Sequence, residues 1–388
     1  MKKKVCVLTG TRADYGLLRE LLFLLNDSDL VDLRLLVTGT HLKKEFGNTH
    51  KEIQHDGFEK FDCIAIPLED DSKLGMVRST GEAIKVYGEY LNQIEPDLMV
   101  ILGDRYEAFA AGVACHILGI PIAHISGGDV TEGALDDAFR HCLTKMSYLH
   151  FPGCADSTKR IVQMGESPQR VFNVGEPGIE NCLKMRLLDR NALAENLGFD
   201  IVNHNYAVVT FHPVTLENDT AISEVYEIIK AMDEHSDLYY IVTMANADES
   251  GRAINELWRQ EGKHHSNWLV VESLGVLRYL SAVKYAKAVI GNSSSGIVEA
   301  PSMKTPTVNI GDRQKGRMMS DSVLCCDPIC EQISDAISKV ITDDFQEVAE
   351  RGVSPFGDGN TSQKIMEQII KYLDYSNEKP RKKFFDIR

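Results

Sequence analysis

The sequence lacks the long apolar segments and the cysteine pattern that would place it in a membrane or an oxidising compartment. No apolar run approaches the roughly 18 residues that a membrane-spanning helix requires. The start, Met1-Lys2-Lys3-Lys4, has the charge of a signal peptide, but the apolar stretch at residues 5–8 is too short for one. The nine cysteines form no CxxC pair and have no histidines at zinc spacing. We expect a cytoplasmic protein without a disulfide framework, metal site or cofactor.

The chain is also poor in basic residues. It has 42 Lys and Arg against 57 Asp and Glu, a formal net charge of −15, whereas nucleic-acid binding requires a basic face. An acidic protein that binds an acidic ligand must concentrate its positive charge locally. The arginines next to glycine-rich turns are therefore the candidates for ligand contact.

Short apolar runs alternate with longer amphipathic stretches throughout the 388 residues. This alternation is typical of βαβ units and a parallel sheet. The length predicts two domains. The predicted strands of the first half are residues 5–9, 33–37, 61–66, 98–102, 121–125, 148–151 and 171–174, and those of the second half are 207–211, 238–242, 268–271, 288–290, 307–310 and 323–325.

The segment Gly175-Glu176-Pro177-Gly178 interrupts this pattern, because two glycines and a proline continue neither a helix nor a strand. We predict an α/β protein with two doubly wound, Rossmann-like domains that face each other across a cleft, where a small-molecule site is usual. The first domain covers 1–175 and the second 176–361. A helix at 362–373 and a tail to 388 follow; the tail is solvated, or it packs back on the first domain.

In the second half, Gly291-Asn292-Ser293-Ser294-Ser295-Gly296 joins a strand to a helix that begins near Ser294. Backbone N–H groups and hydroxyls at a helix N-terminus favour a diphosphate. Glu299 lies where its carboxylate can accept hydrogen bonds from a ribose diol. His212 and Arg313 also follow strands, so both converge on this rim. The alternative is a turn that binds no ligand.

In the first half, Arg12 follows the first strand and offers a planar fork to phosphate oxygens. The alternative is a capping loop in which Asp14 satisfies helix N–H groups and pairs with Arg12. Asp104 ends the fourth strand, with Arg105 beside it, and is either catalytic or a helix N-cap. Four further acids can raise one another's pKa, as general acids and bases require: Asp129, Glu132, Asp136 and Asp137.

The sequence resembles a known family, the hydrolysing UDP-N-acetylglucosamine 2-epimerases of bacterial sialic acid biosynthesis. The resemblance covers nearly the whole chain and rests on an ordered set of motifs. These are TRADYG at 11–16, GTH at 39–41, GDR at 103–105, HISGGDVTEGALDD at 124–137, RHCLTK at 140–145, FHP at 211–213, GNSSSGIVE at 291–299 and GDRQKGR at 311–317.

The resemblance implies a glycosyltransferase-B-like fold and roles for individual residues. Asp104 and Asp136 match family positions that act as general acid or base, and His212 is a further candidate for a catalytic residue. Many members have glutamate where this chain has Ser126, which leaves Asp129 and Glu132 as candidates for the second proton transfer. The residues expected to bind the UDP-sugar are Arg12, Asp14, His41, Arg105, Asn246, Ser293, Ser294, Glu299 and Arg313.

The implied reaction converts UDP-N-acetylglucosamine to N-acetylmannosamine and UDP by elimination to a 2-acetamidoglycal and hydration. Relatives that act on UDP-N,N'-diacetylbacillosamine for legionaminic acid offer an alternative substrate. A glycosyltransferase and a silent nucleotide-sugar-binding module are further alternatives. We expect a homodimer or a higher homo-oligomer that binds neither nucleic acid nor membrane.

Overall fold

A computed structural model describes residues 2–44, 47–68, 70, 72–131, 135–213, 221–245, 249–375 and 381–387. The chain divides into two compact units. Unit 1 consists of Met1–Val130, Leu135–Pro177 and Asn360–Arg388, and unit 2 consists chiefly of Gly178–Gly359. The chain therefore passes from unit 1 to unit 2 next to the predicted break at Glu176 and returns after Gly359.

Each unit is built on a six-stranded sheet whose adjacent strands are all parallel. The strands of unit 1 are β1 (Lys3–Thr9), β2 (Val31–Val37), β3 (Phe61–Cys63), β4 (Leu98–Leu102), β5 (Ile122–Ile125) and β6 (Leu149–Phe151). The strands of unit 2 are β7 (Tyr206–Thr210), β8 (Tyr239–Thr243), β9 (Trp268–Val271), β10 (Ala288–Gly291), β11 (Thr307–Ile310) and β12 (Val323–Cys326).

The two sheets share one topology. Their strand orders are β3-β2-β1-β4-β5-β6 and β12-β11-β10-β7-β8-β9, so the second reads 6-5-4-1-2-3 within its own unit. In both, the chain builds one side of the sheet and then returns to build the other. The switch points lie between β1 and β4 and between β7 and β10, where doubly wound sheets bind ligands. The prediction of two doubly wound domains is confirmed.

Helices connect the parallel strands, as such crossovers require. In unit 1 they are α1 (Arg12–Asn26), α2 (His50–His55), α3 (Lys73–Ile94), α4 (Tyr106–Leu118), α5 (Leu135–Met146), α6 (Ala155–Gln163) and the terminal α15 (Thr361–Tyr375). In unit 2 they are α7 (Pro177–Lys184), which begins at the last residue of unit 1, α8 (Arg190–Leu197), α9 (Ala221–Glu234), α10 (Glu249–Glu261), α11 (Gly275–Tyr285), α12 (Ser294–Ser302), α13 (Cys330–Val340) and α14 (Asp343–Arg351).

The central strands are buried on both faces, which is why they read as continuous apolar runs. Val5, Val7, Leu98 and Val100 on β1 and β4 are fully buried in one cluster with the apolar stripe of α1. The same cluster includes Ile365 and its neighbours on α15. The C-terminal helix therefore completes the core of unit 1.

One predicted strand is wrong. Val171–Val174 forms no strand; it contributes one isolated bridge, between Val171 and His150. This segment lies beside β6 at the edge of the sheet and is followed by the turn at Gly175. Its backbone does bond to the edge of β6, since Phe172 N donates to His150 O at 2.9 Å and Val174 N donates to Pro152 O at 3.1 Å, but the pairing amounts to one isolated bridge and not to a strand.

The described part of the tail, residues 381–387, packs on unit 1. Phe385 N donates to Gly165 O at 2.9 Å, and Lys382 Nζ lies 2.8 Å from Glu166 Oε2. Lys145 Nζ, at 2.6 Å, and His150 Nε2, at 3.1 Å, contact the same buried carboxyl group.

Among the described residues, no helix combines the length and apolarity needed to cross a membrane.

Candidate functional site

The serine-rich loop of unit 2, which the sequence predicts to bind a diphosphate, lies at the switch point of its sheet. β10 ends at Gly291, whose neighbours are Thr210 on β7 and Asn309 on β11. Gly291 has φ of +128°, and a β-carbon there would lie 2.0 Å from Thr210 O. Only glycine allows β10 to turn out of the sheet this close to β7.

Helix α12 begins immediately after this turn. Ser293 is its N-cap, and its hydroxyl accepts from Ser295 N at 3.4 Å. Ser294, the first helical residue, is exposed. Gly296 N, also in the first turn, donates to Ser293 O at 3.1 Å, and the N–H groups at the very start of a helix are the ones that an anion can approach.

Asn292 assembles the rim around this helix start. Its side chain accepts from His212 N at 2.7 Å and donates to His212 O at 2.8 Å. Its carbonyl oxygen accepts from Arg313 Nη1 at 3.0 Å and Gln314 Nε2 at 2.8 Å. Asn292 is 1% exposed. One buried amide therefore joins the ends of three neighbouring strands, β7, β10 and β11.

The charge states at this rim differ from residue to residue. Burial and the positive charge of Arg313 lower the pKa of His212 to about 4, so its imidazole is neutral at pH 7. His212 can thus act as a hydrogen-bond partner, while Arg313 supplies the positive charge. Burial raises the pKa of Glu299, and a hydrogen bond from Ser295 partly offsets this.

In unit 1 a buried arginine gathers the acidic residues that the sequence singled out. Arg140, on α5, donates through Nη2 to Asp104 Oδ2. Its Nη1 donates to Asp137 Oδ1 at 3.2 Å and to the carbonyl oxygen of Asp129 at 2.9 Å. The alternative role of Asp104 as a helix cap is wrong, because the N-cap of α4 is Arg105 and no side chain caps it.

Asp136 lies in the first turn of α5, close to Asp104. Burial, followed by the negative charge of Asp104, raises the pKa of Asp136 to about 6, although Arg105 and Arg140 act in the opposite direction. A carboxyl group with this pKa exchanges protons readily near neutral pH. Asp104, which is paired with the guanidinium of Arg140, and Asp136, which has no such ion pair among the described contacts, are thus neighbouring carboxyl groups with different partners.

The residue that follows β5 also has a carboxylate partner. Ser126 has φ of +60°, and its hydroxyl donates to Glu176 Oε2 at 2.7 Å. Asp129, a candidate for the second proton transfer, accepts from Ser157 Oγ on α6. Its side chain is therefore tied to a neighbouring helix.

Two predicted substrate-binding residues have structural roles instead. His41 is fully buried, and its ring nitrogens lie 2.9 Å from Thr9 Oγ1 and 2.7 Å from Thr49 Oγ1. Because both nitrogens are engaged inside the unit, the prediction that His41 binds substrate is wrong. Asp14 accepts from Gly10 N at 2.8 Å and Thr11 N at 2.7 Å, in the capping box of α1.

The two other arginines form ion pairs at the surface of unit 1. Arg12 Nε lies 2.9 Å from Glu52 Oε1, not against Asp14 as the alternative held, and its side chain is 60% exposed. Arg105 forms a fork with Glu107, at 3.1 and 3.2 Å. The Arg12 pair is exposed and therefore weak, whereas Glu107 in the Arg105 pair is buried; both arginines remain predictions for substrate contact. Glu132 and Asn246 lie outside the described residues.

Sequence reasoning gave no role to Arg140, Asn292 or Glu176. Asn292 lies inside the serine motif and Arg140 is the first residue of another motif, but neither motif indicates what these two side chains contact. Glu176 was treated as part of a break between domains. Among the described residues, no group of three or more His, Cys, Asp or Glu side chains is arranged to hold a metal ion.

The fold and these two groups of residues define a class. The protein has two doubly wound domains, one with a serine-capped helix start at its switch point and one with neighbouring carboxyl groups, and such sites are typical of enzymes that act on nucleotide-linked substrates. A model of the UDP-N-acetylglucosamine 2-epimerase family matches residues 24–370. The chain belongs to this family, whose members act on UDP-sugars.

Individual relatives agree with this assignment. A GDP/UDP-N,N'-diacetylbacillosamine 2-epimerase (hydrolyzing) of Campylobacter jejuni is 38% identical over 350 residues, 89% of each chain. Polysialic acid biosynthesis protein P7 of Escherichia coli is 33% identical over 386 residues, 99% of this chain and 98% of that one. The UDP-GlcNAc 2-epimerase of Neisseria meningitidis, solved with UDP-GlcNAc, has a TM-score of 0.82 at 17% identity and covers 95% of this chain and 100% of its own.

Proposed function

We propose that the protein is a hydrolysing 2-epimerase that releases UDP from a UDP-2-acetamido sugar and inverts C2. The observation that carries the proposal is the pair of neighbouring carboxyl groups in unit 1: Asp104, which is ion-paired with Arg140, and Asp136, whose pKa is raised to about 6. Such a pair supplies a base and an acid at the same pH. The reaction needs both, because a proton leaves C2 during elimination and another returns to C2 during hydration.

The departure of UDP makes the first demand. The C2 proton of a sugar without an adjacent carbonyl is only weakly acidic, so the anomeric C–O bond breaks first and leaves an oxocarbenium-like centre. The start of α12, Arg313 and the neutral imidazole of His212 stabilise the negative charge on UDP. Well-placed donors of this kind contribute roughly 3 to 4 kcal/mol each.

Proton transfer makes the second demand. The carboxylate of Asp104 takes the C2 proton and gives the 2-acetamidoglycal. Asp136, with its pKa near 6, delivers a proton to C2 from the opposite face as water adds at C1.

For the sugar, we propose UDP-N,N'-diacetylbacillosamine as the first candidate, since the 38% identical relative carries that name. UDP-N-acetylglucosamine, the substrate expected from the sequence, is the second candidate. It is supported by the polysialic acid relative and by the ligand of the Neisseria structure. Either substrate would place the enzyme in nonulosonic acid biosynthesis.

The test is to incubate the protein with each UDP-sugar alone, in deuterated water, and to measure free UDP and the sugar product. We expect UDP release without any acceptor and one deuterium at C2 of the product. Asp104→Asn should reduce turnover by about 10²- to 10⁴-fold, while Asp156→Asn, an exposed control on α6, should not.

Four outcomes contradict the proposal. Product without deuterium at C2, or near-normal turnover by the Asp104 variant, would refute the proton-transfer assignment. UDP binding without turnover of either sugar would favour a binding module instead. Turnover that requires an acceptor would indicate a glycosyltransferase.

A further inference from the structure

We propose that Ser126 and Glu176 form a proton-accepting pair that activates the water added to the glycal. This inference rests on the proposed function and extends it by assigning the base of the hydration step. The pair contains a hydroxyl that already donates to a carboxylate, at 2.7 Å. A hydroxyl held in this way directs its lone pairs outward, so it can take a proton while passing its own to the carboxylate.

Ser126 follows the strand that is paired with the one before Asp104. Strands β4 and β5 are paired, and Gly103 N donates to Ile125 O at 3.1 Å. Asp104 and Ser126 therefore leave adjacent parallel strands at the same edge of the sheet, next to its switch point. Ser126 is half-buried, so its hydroxyl can be reached by a small molecule such as water.

The backbone of Ser126 is strained to achieve this. Its φ of +60° lies in the left-handed region, which residues other than glycine adopt at a cost. Such strain persists when the surroundings fix it, and it is concentrated at functional positions. Ser126 N donates to Phe151 O at 2.9 Å, which anchors the residue to the end of β6.

Glu176 reaches Ser126 from a distant loop, and the structure reserves space for it. Its Oε1 lies 1.8 Å from the point where a β-carbon on Gly153 would be. Any other residue at 153 would push the carboxyl group away. The main chain of Glu176 is also held, because Thr361 Oγ1 donates to its carbonyl oxygen at 3.3 Å.

The hydration step balances with these groups. The electrons of the C1–C2 double bond take the proton of Asp136 and form the C2–H bond. The oxygen of water bonds to C1, one water proton passes to Ser126 Oγ, and the serine proton passes to Glu176. Asp136 ends ionised and Glu176 protonated. Exchange with solvent restores both, and the overall reaction releases the free sugar, UDP and one proton.

The experiment separates elimination from hydration. UDP release reports elimination; conversion of the 2-acetamidoglycal to free sugar, with UDP added, reports hydration. For Ser126→Ala and Glu176→Gln we expect UDP release within about threefold of normal and hydration slowed by about 10²-fold or more, the range for loss of a general base. The glycal should accumulate in both variants. It should not accumulate in the control Glu195→Gln, which changes an exposed residue on α8.

Gly153→Ala provides an independent variant, because it acts only by displacing the Glu176 carboxyl group. It should slow hydration like Glu176→Gln, and the two changes together should be no worse than either alone. Thermal unfolding of each variant checks that it folds. If elimination and hydration slow equally, the Ser126–Glu176 contact serves only to hold the backbone in place and the inference is overturned. Unchanged hydration in these variants also overturns it. If the unaltered protein releases no UDP from either sugar, the proposed function itself fails.

Discussion

Replacing Asp136 by asparagine is expected to inactivate the protein and to stabilise it at the same time. Burial and the charge of Asp104 raise the pKa of Asp136 from 3.8 to about 6. The folded protein therefore resists ionisation of this group, whereas the unfolded chain does not. At neutral pH the ionised carboxylate costs stability that a neutral amide of the same shape would not.

The magnitude follows from the shift in pKa. A difference of about two units corresponds to at most about 3 kcal/mol, since each unit is about 1.4 kcal/mol. Asp136 is only partly buried, so water screens part of this cost and we expect about 1 kcal/mol. The raised pKa of an acid penalises the folded state as the pH rises. The gain in Asp136→Asn should be absent near pH 4, appear between pH 4 and 6, and stay constant above about pH 7.

The assay is urea unfolding at pH 4, 6 and 7.5, together with turnover at pH 7.5. Turnover should fall by about 10²- to 10⁴-fold while the free energy of unfolding rises. The matched control is Asp137→Asn on the same helix turn, which removes a partner of the buried Arg140 at 3.2 Å and should destabilise the protein. If Asp136→Asn is no more stable at pH 7.5, or gains most at pH 4, the electrostatic reasoning is refuted.

Three further predictions concern other parts of the structure. Gly291→Ala should lower the free energy of unfolding by about 3 kcal/mol in urea, because its β-carbon would lie 2.0 Å from Thr210 O; Gly81→Ala, on α3 with open space around it, should not destabilise. Asn292→Ala leaves the part-buried N–H and C=O of His212 without their side-chain partner, so it should cost about 3 kcal/mol and weaken UDP binding measured by calorimetry; unchanged affinity would contradict the role of Asn292 in assembling the rim. Glu166→Gln leaves its cations unpaired and should cost about 3 to 5 kcal/mol at pH 7. Burial alone would raise the pKa of Glu166, but hydrogen bonds and the neighbouring cations outweigh it and hold this pKa at about 2, below its usual 4.5. The difference in free energy of unfolding between the variant and the unaltered protein should therefore shrink as the pH falls from 5 to 2. A difference that stays constant over this range would contradict the prediction.

Much of the fold could be predicted because its signals are local. A buried parallel strand is a short apolar run that ends at a turn, and Leu98–Leu102 before Gly103 or Trp268–Val271 illustrate this directly. The start of α12 at Ser294 was predicted from the serine loop, since a cap and a helix start are set by adjacent residues. The segment 171–174 differs from the prediction because an apolar run indicates burial and does not reveal how regularly its backbone pairs with the neighbouring strand.

The candidate site could be predicted only in part. The motifs pointed to Asp104, Asp136, His212 and Arg313, which stay predictions as site residues, because strand ends gather at one edge of a parallel sheet. They also suggested His41, which the structure buries among hydroxyl groups. A histidine that follows a strand has the same local sequence whether its ring points to a ligand or into the core.

The sequence by itself determined the strands, the glycine turns and the helix starts, since each depends on residues within a few positions of one another. Only the tertiary structure decided which side chains work together. Arg140 meets Asp104 across 36 residues, Ser126 meets Glu176 across 50, and Asn292 meets His212 across 80. No local pattern encodes these pairs, because strand order brings them together, and strand order is set by how both sheets bury their apolar faces.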